Sequence, residues 1–186
     1  MERVFAPHLD SETQRRSAMT LTDQEERRYA ELQAMALDAA RHGETGLLVS
    51  MLDAGMPVEL RDEKGNSLLM LAAYHGQEDT VRELLRHGGD PDARNHRDQT
   101  PLAGVAFKGH LEIARLLLEG GADPAADQGG GRTPVMFATL FGHAEMVALL
   151  EARAPARGRW LGIGLSNWVR LTSRLRRRFS NRRAEA

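Results

Sequence analysis

Gly43, Gly76, Gly109 and Gly142 stand 33 residues apart, and Gly55, Gly88 and Gly121 form a second series with the same step. Other positions keep the same register: Leu52 with Leu85 and Leu118, Asp90 with Asp123, Pro91 with Pro124, Thr100 with Thr133, and Pro101 with Pro134. A gapless period of this length means that one short unit is copied along the chain. Such a unit cannot bury its apolar face alone, so copies must stack, and stacking gives an extended surface rather than a deep pocket. With 186 residues the chain has room for one domain with tails, not for two large domains.

Each period has the same internal order. Thr100-Pro101, Thr133-Pro134 or Ser67-Leu68 opens a short helix, where a hydroxyl caps orphan amides and Pro suits the first helical position. The first Gly ends that helix in a left-handed C-cap. An acidic residue (Asp79, Glu112, Glu145) then sits in the first turn of a second helix, where it complements the macrodipole. A Leu-rich face such as Ile113, Leu116, Leu117 and Leu118 follows, the second Gly closes the helix, and a polar hairpin-like loop leads to the next unit.

Thr100-Pro101-Leu102, Gly109-His110-Leu111-Glu112-Ile113 and Gly120-Gly121-Ala122-Asp123 resemble the ankyrin repeat family, and Leu69 to Gly76 resembles small bacterial ankyrin proteins in particular. The resemblance covers residues 34 to about 152 and implies an all-α helical solenoid of about four stacked helix–turn–helix repeats with finger loops. The family's usual His after Thr-Pro-Leu is replaced by Met70, Ala103 and Met136, and Gly104-Val105 stands where the preceding repeat has Leu71-Ala72. The expected organisation is a flexible segment 1–20, then a repeat domain 21–152, then a tail 153–186. Within the domain a capping helix spans 22–41, opened by a Thr22/Glu25 capping box, and repeats span about 34–66, 67–99, 100–132 and 133–152. Glu151 and Ala154 replace the Leu and Gly of earlier repeats, so the array is expected to stop there.

Composition narrows the chemistry. No Cys is present, which removes disulfides, thiolate zinc sites and a cysteine nucleophile. Nine aromatics leave the core to Leu, Ala, Val and Met. The apolar stretches near Leu68–Tyr74 and Trp160–Val169 are too short to span a bilayer as helices, and Glu2, Asp10, Glu12 and Asp23 leave no room for an apolar leader core. The expected location is the cytoplasm. His110 and His143, or His42 and His75, fall in neighbouring units with helices about 8–10 Å apart, too far to share a metal. Gly129-Gly130-Gly131 lacks the Lys-Ser or Lys-Thr of a phosphate loop, and neither a Gly-x-Ser-x-Gly elbow nor a His-Glu-x-x-His helix occurs. Neither catalysis, cofactor nor metal is expected.

Ankyrin resemblance implies binding to another macromolecule through loop tips and the face of the first helices, here a partner protein met by a monomer. The loop-tip candidates are Arg61, Glu63, Lys64 and Asn66, then Arg94, His96, Arg97 and Gln99, then Gln128, Gly129, Gly130 and Arg132. The two positions before each first Gly also face the groove: Arg41 and His42, Tyr74 and His75, Phe107 and Lys108, Leu140 and Phe141. Tyr74, Phe107, Leu140 and Phe141 make an apolar stripe beside polar tips, the composition of an interface hot spot; the alternative for Leu140 and Phe141 is that they pack under the C-terminal segment.

Charge is unevenly divided. Residues 153–186 hold ten Arg and one Glu, +9, which leaves −10 for residues 1–152 within a net charge of −1. At 100° per residue Trp168, Leu171, Leu175 and Phe179 share one arc, with Arg170, Arg174 and Arg177 opposite. Such a basic amphipathic segment suits an anionic membrane surface at the inner face of a membrane. Three other readings compete: a nucleic-acid arm, for which the apolar arc is better formed than needed; a latch laid along the acidic array and over the aromatic groove; and a basic tail that only affects solubility.

Overall fold

The computed structural model describes residues 23–154. Their elements are helices α1 (Asp23–His42), α2 (Thr45–Asp53), α3 (Leu68–His75), α4 (Glu78–Arg86), α5 (Pro101–Lys108), α6 (Leu111–Glu119), α7 (Pro134–Phe141) and α8 (Ala144–Arg153). No strand occurs among the described residues, only an isolated bridge between Arg61 and Ser67. Among the described residues those up to Ala34 belong to one unit and those from Met35 to Ala154 to another, which holds the repeats. The segment 1–20, Thr22 of the expected capping box and the tail beyond Ala154 lie outside the described residues.

Local chemistry sets the helix ends. The Ser67 hydroxyl accepts the Met70 amide at 3.2 Å and the Thr100 hydroxyl accepts the Ala103 amide at 3.4 Å, with Pro101 opening α5. Thr133, which the sequence places as the cap of α7, makes no such bond. The two sites differ in their neighbours: the amide of Thr100 is held at 2.7 Å by Gln128 Oε1 from the following loop, whereas no such acceptor reaches Thr133 among the described residues. Gly109 ends α5 at φ +82°, and it serves a second purpose. A Cβ there would stand 2.6 Å from the His143 ring, which lies across the turn with Nε2 3.0 Å from the Phe107 carbonyl. Gln77 makes the equivalent reach two units earlier, donating to the Arg41 carbonyl at 2.9 Å over Gly43.

Helices stack in two layers. α3 packs on α5 and α5 on α7, while α2, α4, α6 and α8 form the second row, and within each unit the first helix packs on the second. The core between them is aliphatic: Leu48, Leu68, Leu69, Leu84, Leu102, Ile113, Leu117 and Leu150 are essentially inaccessible. Burying each such side chain stabilises by about 1.5–3 kcal/mol. Thr80 is also buried, and its hydroxyl meets that of Thr45 at 2.7 Å. Every buried side-chain polar atom among the described residues has a partner.

Loops are stitched to the next loop by two columns of the repeat. Arg61 Nη1 donates to Gly65 O of its own loop and, at 2.7 Å, to Arg94 O; Arg94 Nη1 likewise donates to Asp98 O and, at 2.7 Å, to Asp127 O. Glu59 accepts the Asp90 amide at 2.8 Å and Asp92 accepts the Asp123 amide at 3.1 Å. In the last described finger loop these columns read Asp127 and Ala125, so neither stitch is repeated there.

Candidate functional site

Because α3, α5 and α7 lie side by side, the residues just before their terminal glycines rise at the same height. The Tyr74 and Phe107 rings lie nearly parallel, 10° between planes and 6.5 Å between centroids. Phe141 meets Phe107 edge-on at 4.4 Å, and Lys108 Nζ stands 4.7 Å from the Tyr74 centroid. Gly104 makes room for this: a Cβ there would touch Tyr74 Cδ2 at 3.3 Å. The departure Gly104-Val105 seen in the sequence thus has a local purpose. Tyr74 and Phe141 remain 38% and 42% exposed, enough surface to meet another molecule.

Below this row a groove of about 700 Å³ runs to the first two finger loops. Glu63, Lys64, Asn66, Tyr74, His75, His96, Arg97, Gln99 and Phe107 all line it, together with Arg41. Asp62 and Asn95 line it as well and were not singled out from sequence. Their job is to lock the loops: Asp62 Oδ1 accepts the amides of Lys64 and Asn66, and Asn95 Oδ1 those of Arg97 and Gln99. A short acceptor side chain four residues before its second partner is the signal that would have found them. Asn95 Nδ2 also reaches Asn66 Oδ1 at 2.9 Å, joining one lock to the other.

Several expected contact residues are engaged elsewhere. Arg61 and Arg94 direct their guanidinium groups along the array, as above, and act as loop staples. Arg132 donates to the carbonyls of Gly129 and Gln128 within its own loop. Gln128, expected at a loop tip, is 1% exposed, with Oε1 on the Thr100 amide and Nε2 on Ala126 O. In that loop Asp127 takes over the lock by accepting the Gly131 amide, which frees Gln128 to turn inward. Leu140 stands outside the ring row, 71% exposed, and Phe141 takes the place expected of it. Trp168, Arg170, Leu171, Arg174, Leu175, Arg177 and Phe179 lie outside the described residues.

The groove carries a positive rim. Arg41 pairs with Asp38 at 2.7 Å and reaches Asp62 at 3.4 Å, while Lys64, Arg97 and Lys108 have no carboxylate partner among the described residues. Burial first, then the charges of Arg41 and Lys108 and the nearby His42 and His110, hold the His75 pKa below the usual histidine value. Burial opposes ionisation of Asp62, but the Asn66 side chain, the amides of Asn66 and Lys64, and Arg41 outweigh it and leave its pKa below the ordinary carboxylate range. Among the described residues no three His, Asp or Glu are grouped to hold a metal ion, and no helix is long and apolar enough to cross a membrane. The family model for ankyrin repeats in three copies matches residues 36–128 and again 69–155. No curated protein matches the chain. Repeat period, helix pairs, finger loops and family model agree: the chain belongs to the ankyrin repeat family, whose members are generally protein–protein interaction modules and typically not enzymes.

Proposed function

We propose that the chain is a binding adaptor whose partner protein seats an apolar anchor on the Tyr74–Phe107–Phe141 row and polar groups against Lys64, Arg97 and His96 of the finger loops. One observation carries this reading: half-exposed aromatic rings stand in line beside polar side chains that the fold does not otherwise use. Aromatic anchors inside a polar rim concentrate binding energy, and truncating one costs about 2 kcal/mol or more. The neighbouring stitches give the site rigidity, since Asp62, Asn95, Arg61 and Arg94 fix the loops before any partner arrives. Affinity capture with the native chain and with Tyr74→Ala/Phe107→Ala tests it. Loss of the captured partner in the variant, with retention by Arg115→Ala on α6, is expected; equal capture by all three rejects the groove.

A further inference from the structure

Repeat four ends the array with an apolar face uncovered. The column Met70, Ala103, Met136 is 7%, 3% and 51% exposed, and the column Tyr74, Leu140 rises from 38% to 71%. Terminal repeats of a solenoid need a polar outer side, yet the outward positions of α7 hold Met136 and Leu140. The stitching columns have lost their Arg at Asp127 and their acid at Ala125, so this end offers neither tie to a further finger loop.

We propose that the C-terminal segment of this same chain is the cap: residues 155–181 lay the apolar arc Trp168, Leu171, Leu175 and Phe179 on the exposed side of α7, over Met136 and Leu140. Reach is ample. The fourteen residues from Ala154 to Trp168 can span at most about 50 Å, against about 12 Å for the length of α7. Polarity fits as well, since Arg170, Arg174 and Arg177 on the opposite side of the segment would give the array the charged outer surface that repeat four lacks. Charge favours this end of the molecule over the groove: Glu145 and Glu151 of α8 have no ion-pair partner among the described residues, whereas Lys64, Arg97 and Lys108 around the groove, with no carboxylate partner there, would repel a segment of charge +9. The cap therefore differs from a latch over the groove, and it leaves Tyr74 and Phe107 open.

The chain's two tryptophans, Trp160 and Trp168, both lie in this segment, so intrinsic fluorescence of the full-length protein reads it directly. In dilute buffer the native emission is expected at shorter wavelength than free tryptophan and shielded from acrylamide. Met136→Glu/Leu140→Glu, at two exposed positions, is expected to restore the emission and quenching of solvated tryptophan while the far-ultraviolet helical signal is kept. Leu140→Gln repeats the test should the double variant lose helix, and is expected to shift emission partway. Solvated emission in the native chain overturns the cap. So does an emission unchanged by the end-face variants, which would put the segment elsewhere, the groove included. A blue shift that appears only with phosphatidylserine vesicles overturns it in favour of a membrane surface, and one that grows with protein concentration overturns it in favour of a second copy.

Discussion

Repeat three and repeat four share almost the same opening, Thr-Pro followed by seven residues and a turn glycine, yet only repeat three makes the full set of contacts. Thr100 is buried, its hydroxyl caps α5 and its amide is held by Gln128; Thr133 is half-buried and caps nothing. Gly109 lies under the His143 ring, whereas nothing among the described residues lies within 4 Å of where a Gly142 Cβ would be. The same local sequence therefore gives different energetics at the two places. In a stacked array a repeat is completed by its follower, and its stability belongs partly to the neighbour.

That contrast can be broken most severely in the core. Leu102→Ala, at a position with no exposure, is expected to cost about 2–5 kcal/mol in urea unfolding. Val135→Ala, at the equivalent and only half-buried position of repeat four, should cost a fraction of that, and equal costs would mean the last repeat is as well packed as the third. The turn glycines come next. Both positions impose a left-handed backbone worth about 1–2 kcal/mol against Ala. Gly109→Ala must also displace His143 and break its bond to Phe107 O, adding about 1–3 kcal/mol, whereas Gly142→Ala carries the backbone cost alone. Equal melting points for these two variants would remove His143 as an inter-repeat tie. Smaller still, Thr100→Val should lose about 0.5–2 kcal/mol as a cap is removed, and Thr133→Val should leave the urea midpoint close to native.

Two histidines set the groove against the outer turns in their response to pH. His75 has its pKa lowered by burial and then by Arg41 and Lys108, so the unfolded chain takes up that proton more readily; its contribution is fully present above about pH 6.5 and is lost as pH falls through the folded value. His87 has its pKa raised by the Glu83 carbonyl and then by Asp53, so its contribution is present below about pH 6.5 and is lost as pH rises through the folded value. Urea midpoints measured across this window should flatten on the acidic side in His75→Gln and on the alkaline side in His87→Gln. Identical pH profiles for native and variants would contradict both assignments.

The first helices of the repeats were legible in the sequence because their ends rest on local devices: a Ser or Thr that takes the amide three residues on at α3 and α5, a Pro at the first turn of α5 and α7, and a left-handed Gly at the end of all three. The groove was half legible. Tyr74, His75 and Phe107 could be placed by period alone, since position relative to the turn Gly decides which way they face. Arg61 and Arg94 could not, because a loop-tip arginine reads as solvent-facing while its acceptors are backbone carbonyls 33 residues further on. Gln128 was hidden for a related reason: the burial of a loop glutamine depends on Asp127 taking the lock one residue earlier than Asp62 and Asn95 do.

The central claim, that a partner protein meets the aromatic row rather than the outer helices, is tested most directly by site-specific photo-crosslinking in cells. A photoreactive phenylalanine analogue at Phe107 on α5 is compared with one at Arg115 on α6, both half-exposed or exposed and both in the same repeat. A discrete adduct at position 107 and none at 115 is the expected result. Adducts at 115 without any at 107 would place recognition on the outer helices and contradict the account.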